Sequence, residues 1–277
     1  AVSSNPQDNW IIYDQMRGLV TQSGNNERLY ANLSDSSTPG NDLGITATGF
    51  ESRGNMLASQ SFIYLAIRRP NKPPIIGTQV YNAIIALLAS AGTVVTEIGF
   101  NPDMAITTQS SANSGHLVPS RLTGAVYMNT ASTLAEGASV DIAWDYANAV
   151  KLEPWTGSQN HINHFFRRAP GFFDEVCYTG DATYGRAVNH NLAAVAEFII
   201  IKNRAAAYNW QCRHVGLPVG TTSIQLDLAD ASTNFNLITS LGTTTTFSLN
   251  DNIQVNGSSA NTYVAYLLAT REAIRKV

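Results

Sequence analysis

Residues 171–271 carry GFFDEVCYTG (171–180), EFIIIKNR (197–204), NWQCRHVG (209–216), IQLDLADAST (224–233), TFSLN (246–250) and TYVAYLLAT (262–270). These short apolar or β-branched runs are separated by clusters of Gly, Asn, Asp, Ser and Thr. That pattern predicts one compact antiparallel β-sandwich. Working outward, the rest of the chain reads as two diverged versions of the same unit, the first without its opening strands.

Composition agrees with an all-β protein. Apolar residues make up 44% of the 277 residues, enough to build cores, while charged residues make up only 13%, about half the usual share. The polar surface must therefore come from Ser, Thr, Asn and Gln. Net charge is −3, and no basic run is longer than Arg68-Arg69 or Arg167-Arg168. A duplex-binding surface needs clustered Lys and Arg to displace counterions, so nucleic acid is not an expected partner. No run of about 18 apolar residues exists, so neither is a membrane. The longest apolar stretch, AIIALLASA (83–91), suits a buried strand or a short helix equally. The chain begins AVSSNPQ, without Met or a signal-peptide pattern, which suggests processing or a longer parent. Cys177 and Cys212 form no disulfide framework and read as buried free thiols.

In order, strands are expected at 10–13, 29–33, 44–50 and 61–67, before a stiff joint NKPP (71–74). A second set follows at 78–86, 100–108, 116–124, 125–133, 140–146 and 162–166, closed by RRAP (167–170). The tail 269–277 suits a final helical turn. Internal matches recur in one order with a period near 100 residues. FIYLAIRR (62–69) matches HINHFFRR (161–168) and YVAYLLAT (263–270). LSDSST (33–38) matches MNTAST (128–133) and LADAST (228–233). Asp103 falls beside Glu197, and Trp10 beside His116 and Trp210. Three tandem antiparallel β-sandwich modules result, at 1–74, 75–170 and 171–277. The missing opening strands of the first would leave open sheet edges, to be completed by upstream sequence or a neighbouring subunit.

The segments WIIYDQMRG, LYANLSDSST, GFESRGN, SFIYLAIRRP, GFNPDMAITTQ, FFDEVCYTGDATYG, EFIIIKNR and VNGSSANTYVAYLLA resemble a repeat found in tail and virion proteins of tailed bacteriophages. Each such repeat resembles a concanavalin A-like (laminin-G-like) sandwich, which implies modules of concanavalin A-like or jelly-roll type. The third copy matches best, through Tyr178-Thr179-Gly180, Glu197, Lys202, Arg204, Trp210, Asn256-Gly257 and residues 263–266. The second departs most, with His116 in place of Trp and no Lys/Arg pair. The resemblance implies a phage particle and a sandwich, and names no catalytic site.

Candidate chemistry is sparse. A glycosidase needs two carboxylates about 5–10 Å apart across a cleft. Asp141 and Asp145, flanking Trp144 in an expected strand, would lie about 13 Å apart by strand rise and read as solvent-facing acids. His161 and His164 have a ligand-like spacing but would point to opposite faces. Asp35, Asp42, Asp181, Asp227 and Asp230 could offer oxygens to calcium, yet match no loop signature and read as turn residues. No G-x-S-x-G elbow or phosphate loop occurs. Trp10 and Trp210 share one repeat position and are expected in cores. Trp155 lies in a loop and is the candidate ligand-binding aromatic. No catalytic, cofactor-binding or metal residue is expected, nor any cofactor.

The expected function is a non-enzymatic virion structural protein in the tail, fibre or adhesion apparatus, assembled in the host cytoplasm. Its expected partners are itself, as a homo-oligomer such as a trimer, other virion proteins, and a host surface glycan bound by loops. The alternatives are a glycan-degrading tail enzyme on the same fold and a capsid-decorating or head-fibre protein. Specific function should lie where the copies differ: residues 23–24, 136–137, Trp155 and 181–185.

Overall fold

The structure is a computed structural model and describes residues 2–3, 9–14, 19, 26–46, 49–57, 62–67, 72–89, 91–110, 115–154, 157–218, 223–231 and 235–271. It is an all-β fold of antiparallel sheets. The first set of strands is β1 (Val2–Ser3), β2 (Ile11–Ile12), β3 (Asn26–Tyr30), β4 (Thr38–Gly40), β5 (Leu43–Ile45), β6 (Phe50–Ser52) and β7 (Phe62–Ile63). The second is β8 (Tyr81–Leu88), β9 (Thr93–Val95), β10 (Met104–Gln109), β11 (Leu117–Pro119), β12 (Val126–Asn129), β13 (Gly137–Ala138), β14 (Val150–Leu152) and β15 (Gln159–Phe166). The third is β16 (Phe173–Thr179), β17 (Arg186–Asn189), β18 (Phe198–Asn203), β19 (Gln211–His214), β20 (Ile224–Gln225), β21 (Ile238–Ser240), β22 (Thr246–Leu249) and β23 (Thr262–Leu268), with a single helical turn α1 (Ile253–Asn256).

One strand order recurs. The six-stranded sheet runs β8-β15-β10-β11-β12-β13, and the five-stranded sheet runs β16-β23-β18-β19-β20. In the first set, β7 pairs with β1, and β2, β3 and β4 pair in that order in a separate sheet, so parts of the same order recur there. Pairing registers agree residue by residue. Ser3 pairs with Phe62, Gln109 with His161 and Asn203 with Tyr263. Trp10, His116 and Trp210 each stand seven residues beyond these positions, directly before β2, β11 and β19. Register also corrects one expected match. Tyr30, Asn129 and Gln225 are equivalent, because they pair with Ile11, Leu117 and Gln211. Residues 33–38 and 228–233 therefore correspond to 132–137, four residues beyond the MNTAST segment.

Alternation of side chains sorts each strand between two faces. Val176, Ile199, Ile201, Tyr263, Ala265 and Leu267 face Val188, Ile238, Phe247 and Leu249 of the small sheet β17-β22-β21, filling one sandwich. Leu88, Ala105 and Phe165 face Val95, Val150 and Leu152 of the pair β9-β14, filling another. A third core has no counterpart in the sequence reading. Met104, Ile106, Val118, Met128 and Phe166, on the outer face of the six-stranded sheet, pack on Phe173, Cys177, Ile200, Trp210, Val264, Tyr266 and Leu268 of the five-stranded sheet. The two large sheets thus lie face to face, and β23 is buried on both sides.

Three local expectations change. Residues 140–146 are not a strand; Ser139 Oγ accepts the N–H groups of Asp141 (3.0 Å) and Ile142 (3.1 Å), bending the chain. Only Ala143 bridges to Lys151. The apolar stretch at 83–91 enters edge strand β8, whose alternate residues are exposed rather than buried. Trp10 is 53% exposed while Trp210 is 1% exposed, because among the described residues no second large sheet covers the first set. Residues 23–24 and the end of the expected C-terminal turn lie outside the described residues.

Candidate functional site

The most elaborate polar site is the joint between the two large sheets. It starts at Trp210, whose backbone N–H donates to Asp227 Oδ1 at 3.0 Å, while the Asn209 amide donates to Oδ2 at 3.0 Å. The indole Nε1–H crosses the joint, donating to the carbonyls of Asn129 (2.9 Å) and Ser132 (3.2 Å). Its ring stacks on Tyr266, and Tyr266 on Phe173. Lys202 is the last outer-face residue of β18 and is fully buried. Its ammonium donates to the carbonyls of Thr133 (3.0 Å), Asn203 (3.0 Å) and Tyr208 (2.8 Å). Burial, partly offset by Asp227, pushes its pKa down to about 8. Arg204 Nε donates to Glu136 Oε2 at 2.7 Å, and the Glu136 N–H donates back to the Arg204 carbonyl at 3.0 Å. Residues 129–136 are thus clamped over 202–210.

A second polar group sits nearer the linker. Glu175, on the outer face of β16, accepts from the Ser120 hydroxyl; its Oε2 finds no protein partner. Burial raises its carboxyl to about 8, against the pull of Ser120 and Arg168. The Arg168 N–H donates to Asp103 Oδ2 at 2.7 Å, and its Nη1 to the Glu175 carbonyl at 3.5 Å. Burial works against the Arg168 charge, but Asp103, Asp174 and Glu175 outweigh it and raise its pKa. Asp174, one residue from Glu175, turns to the opposite face and accepts the Asn191 N–H at 2.6 Å. Ser120, Glu175, Arg168 and Asp103 thus orient one another across a buried seam, with Glu175 Oε2 left over.

A corner at one end of the third sandwich explains two glycine motifs. Gly180 N–H donates to the Asn261 carbonyl (2.8 Å), Ala182 N–H to the Gly257 carbonyl (2.9 Å), and Gly257 N–H to the Tyr263 hydroxyl (2.7 Å). A Cβ on Gly180 would run into the Gly257 carbonyl. The adjoining loop 181–185 is exposed. There Asp181 pairs with Arg186 at 3.3 Å and accepts from the Asn256 amide and the Thr183 N–H, both at 2.9 Å. Burial works against its charge, but those donors and Arg186 together lower its pKa.

The residues singled out by sequence are dispersed. Trp155 lies outside the described residues. Asp141 pairs with Lys151 at 2.8 Å, whereas Asp145 is exposed. Trp144 is buried under the Arg121 guanidinium, 5.5 Å from its ring. His161 is buried on one face of β15 and bonds the Gln159 carbonyl at 2.9 Å, while His164 on the other bonds the Tyr81 hydroxyl at 2.8 Å. Asp42 is buried against Arg28 and the Tyr13 hydroxyl, Asp227 serves Trp210, and Asp35 and Asp230 are exposed. Among the described residues no group of three His, Cys, Asp or Glu could hold a metal ion, and no helix is long and apolar enough to cross a membrane. Cys177 and Cys212 are thiols outside any disulfide, and burial pushes the Cys212 thiol up to about 12. Glu136, expected in a variable functional region, belongs to the joint. Ser120 and Glu175 in that joint were not anticipated.

Residues 167–277 match a family described as a domain of unknown function, DUF7483. This segment takes in β16 to β23 and every joint residue of the third set. No curated protein and no solved structure matches the chain.

Proposed function

We propose that this chain is a non-enzymatic structural protein of a tailed-phage particle, in its tail, fibre or adhesion apparatus, built of tandem sandwich modules at 1–74, 75–170 and 171–277. The observation that carries this reading is the joint. Lys202, Arg204, Trp210 and Glu175, the buried polar side chains on the outer face of the third sandwich, are spent on fixing it to the second. Modules locked by a shared core and a polar clamp transmit force and hold spacing, which suits a particle component. The charge-poor surface and the resemblance of the repeats to virion proteins support the same reading. Loops at the sandwich ends, such as 181–185, are where a host glycan or protein would be met. Immunogold labelling of intact particles with an antibody to this chain tests the proposal: label at the tail or its fibres is expected, and absence from particles rejects it. Release of reducing ends from host capsule or lipopolysaccharide would favour a glycan-degrading enzyme instead.

A further inference from the structure

The longest open sheet edge among the described residues is β8, the outermost strand of the six-stranded sheet. The other strands that end a sheet are two or three residues long or carry a charge, such as Asp174 and Glu175 in β16 and Arg186 in β17. β8 runs for eight residues, YNAIIALL, with no charge and no proline, the usual guards of an exposed edge. The phase of its ladder is set by two hydrogen bonds. The Arg167 N–H donates to the Val80 carbonyl at 2.8 Å, one pair beyond Tyr81–Phe166. The Ser110 N–H donates to the Asn160 carbonyl at 2.9 Å, so the even-numbered residues of β15 bond to β10 and the odd-numbered ones to β8. Bonded and unbonded pairs alternate in an antiparallel ladder. Asn82, Ile84, Ala86 and Leu88 therefore bond to β15, while Tyr81, Ala83, Ile85 and Leu87 turn N–H and C=O away from it. The same four residues are exposed, Ile85 by 70% and Leu87 by 59%.

We infer that β8 pairs antiparallel with β8 of a second copy of this chain, continuing the six-stranded sheet across a two-fold axis. The register that matches all four outward-turned residues sets Tyr81 opposite Leu87 and Ala83 opposite Ile85, with the axis between the two copies of Ile84. No like charges oppose each other in that pairing, and large side chains meet large or small ones on the outer face. The stripe they form is continuous with the established joint. Ile85 lies opposite Ile162 on β15, Tyr81 packs on Phe166 at 5.2 Å, and Phe166 on Phe173 at 5.7 Å. The contact uses the same strand of both copies, so it is isologous and closes on a dimer. It rests on the particle reading above only for its purpose, and the two fail separately: immunogold labelling does not report β8, and sedimentation of the pure chain does not report a particle.

Sedimentation velocity of the purified chain tests the inference, with circular dichroism to verify folding. Ile85→Lys and Leu87→Lys put a charge on exposed side chains of β8, so both variants are expected to fold. Val140→Lys, at a residue 96% exposed and outside the strands, is the control. Wild type and Val140→Lys should sediment as dimers at concentrations about 100-fold above a micromolar dissociation constant, and both β8 variants as monomers. Mild oxidation reads the register. An equimolar mixture of Ala83→Cys and Ile85→Cys should form a cross-linked dimer faster than either variant alone, because opposed residues of a bonded pair lie about 5.5 Å apart at Cα. A wild-type chain that stays monomeric overturns the inference and leaves the edge to another segment or another protein. So does an assembly that both Lys variants keep. So does a mixture that cross-links no faster than its components.

Discussion

The Trp210 indole N–H donates to the Asn129 carbonyl at 2.9 Å across the seam between two sandwiches. The same indole reaches Ser132, so one side chain ties 129–132 to the start of β19. Trp210→Phe keeps an aromatic ring but withdraws this donor and opens a small void. The expected loss is about 1–3 kcal/mol. Because the side chain joins two sandwiches, urea unfolding should also broaden or split relative to wild type. An unchanged midpoint and slope would refute the role assigned to Trp210.

Glu175 should make the joint weaken as pH rises. Its carboxyl titrates near 8 in the fold, above its ordinary value of 4.5. The folded chain then holds a proton that the unfolded chain releases, so this group's contribution is fully favourable below pH 4.5 and declines between 4.5 and 8. Glu175→Gln has no proton to lose and can still meet Ser120. It should be more stable than wild type near pH 8, by on the order of 1–3 kcal/mol, with the advantage gone below pH 4.5. Thermal melts at stepped pH read this directly, and a constant offset at every pH would count against it.

Lys202 should act in the next window and with the opposite slope. Its pKa is lowered from 10.5 to about 8, so between those values the unfolded chain keeps a proton that the folded chain has released. Stability from this group therefore rises with pH across 8 to 10.5. Lys202→Met removes the buried charge but strands the carbonyls of Thr133, Asn203 and Tyr208. A deficit of about 1–3 kcal/mol at pH 7 is expected, widening toward pH 10.5. Chemical denaturation at pH 7 and pH 10 is the measurement.

Much of the fold was legible because strands with one wet face alternate, and the spacing around Trp10, His116 and Trp210 survives in the registers. The joint was harder to see. Its clearest signal was TYVAYLL at β23, an uninterrupted apolar run rather than an alternating one, as a strand buried on both faces requires. The same holds for FIII in β18, where the following Lys202 looks like a surface charge until its three carbonyl partners are known. Residues 140–146 misled for a local reason: they alternate like a strand, but Ser139 captures two of their N–H groups. The second copy's departures also acquire a meaning. Thr108, Ser110 and His116 stand where Lys202, Arg204 and Trp210 stand in the third, so the second sheet lacks the residues that clamp a preceding module.

Gly180 and Tyr263 allow the glycine corner to be tested apart from the joint. Gly180 lies so close to the Gly257 carbonyl that no Cβ fits without backbone movement. The Tyr263 hydroxyl accepts the Gly257 N–H and donates to the Ile253 carbonyl, both at 2.7 Å, holding α1 against β23. Tyr263→Phe leaves one buried donor and one buried acceptor without that partner and should cost about 1–3 kcal/mol. Gly180→Ala should cost at least as much, since backbone rather than a flexible side chain must yield. Both changes sit on the inner side of the third sandwich. They should lower its unfolding midpoint in urea. Two variants with the wild-type midpoint would refute the role assigned to this corner.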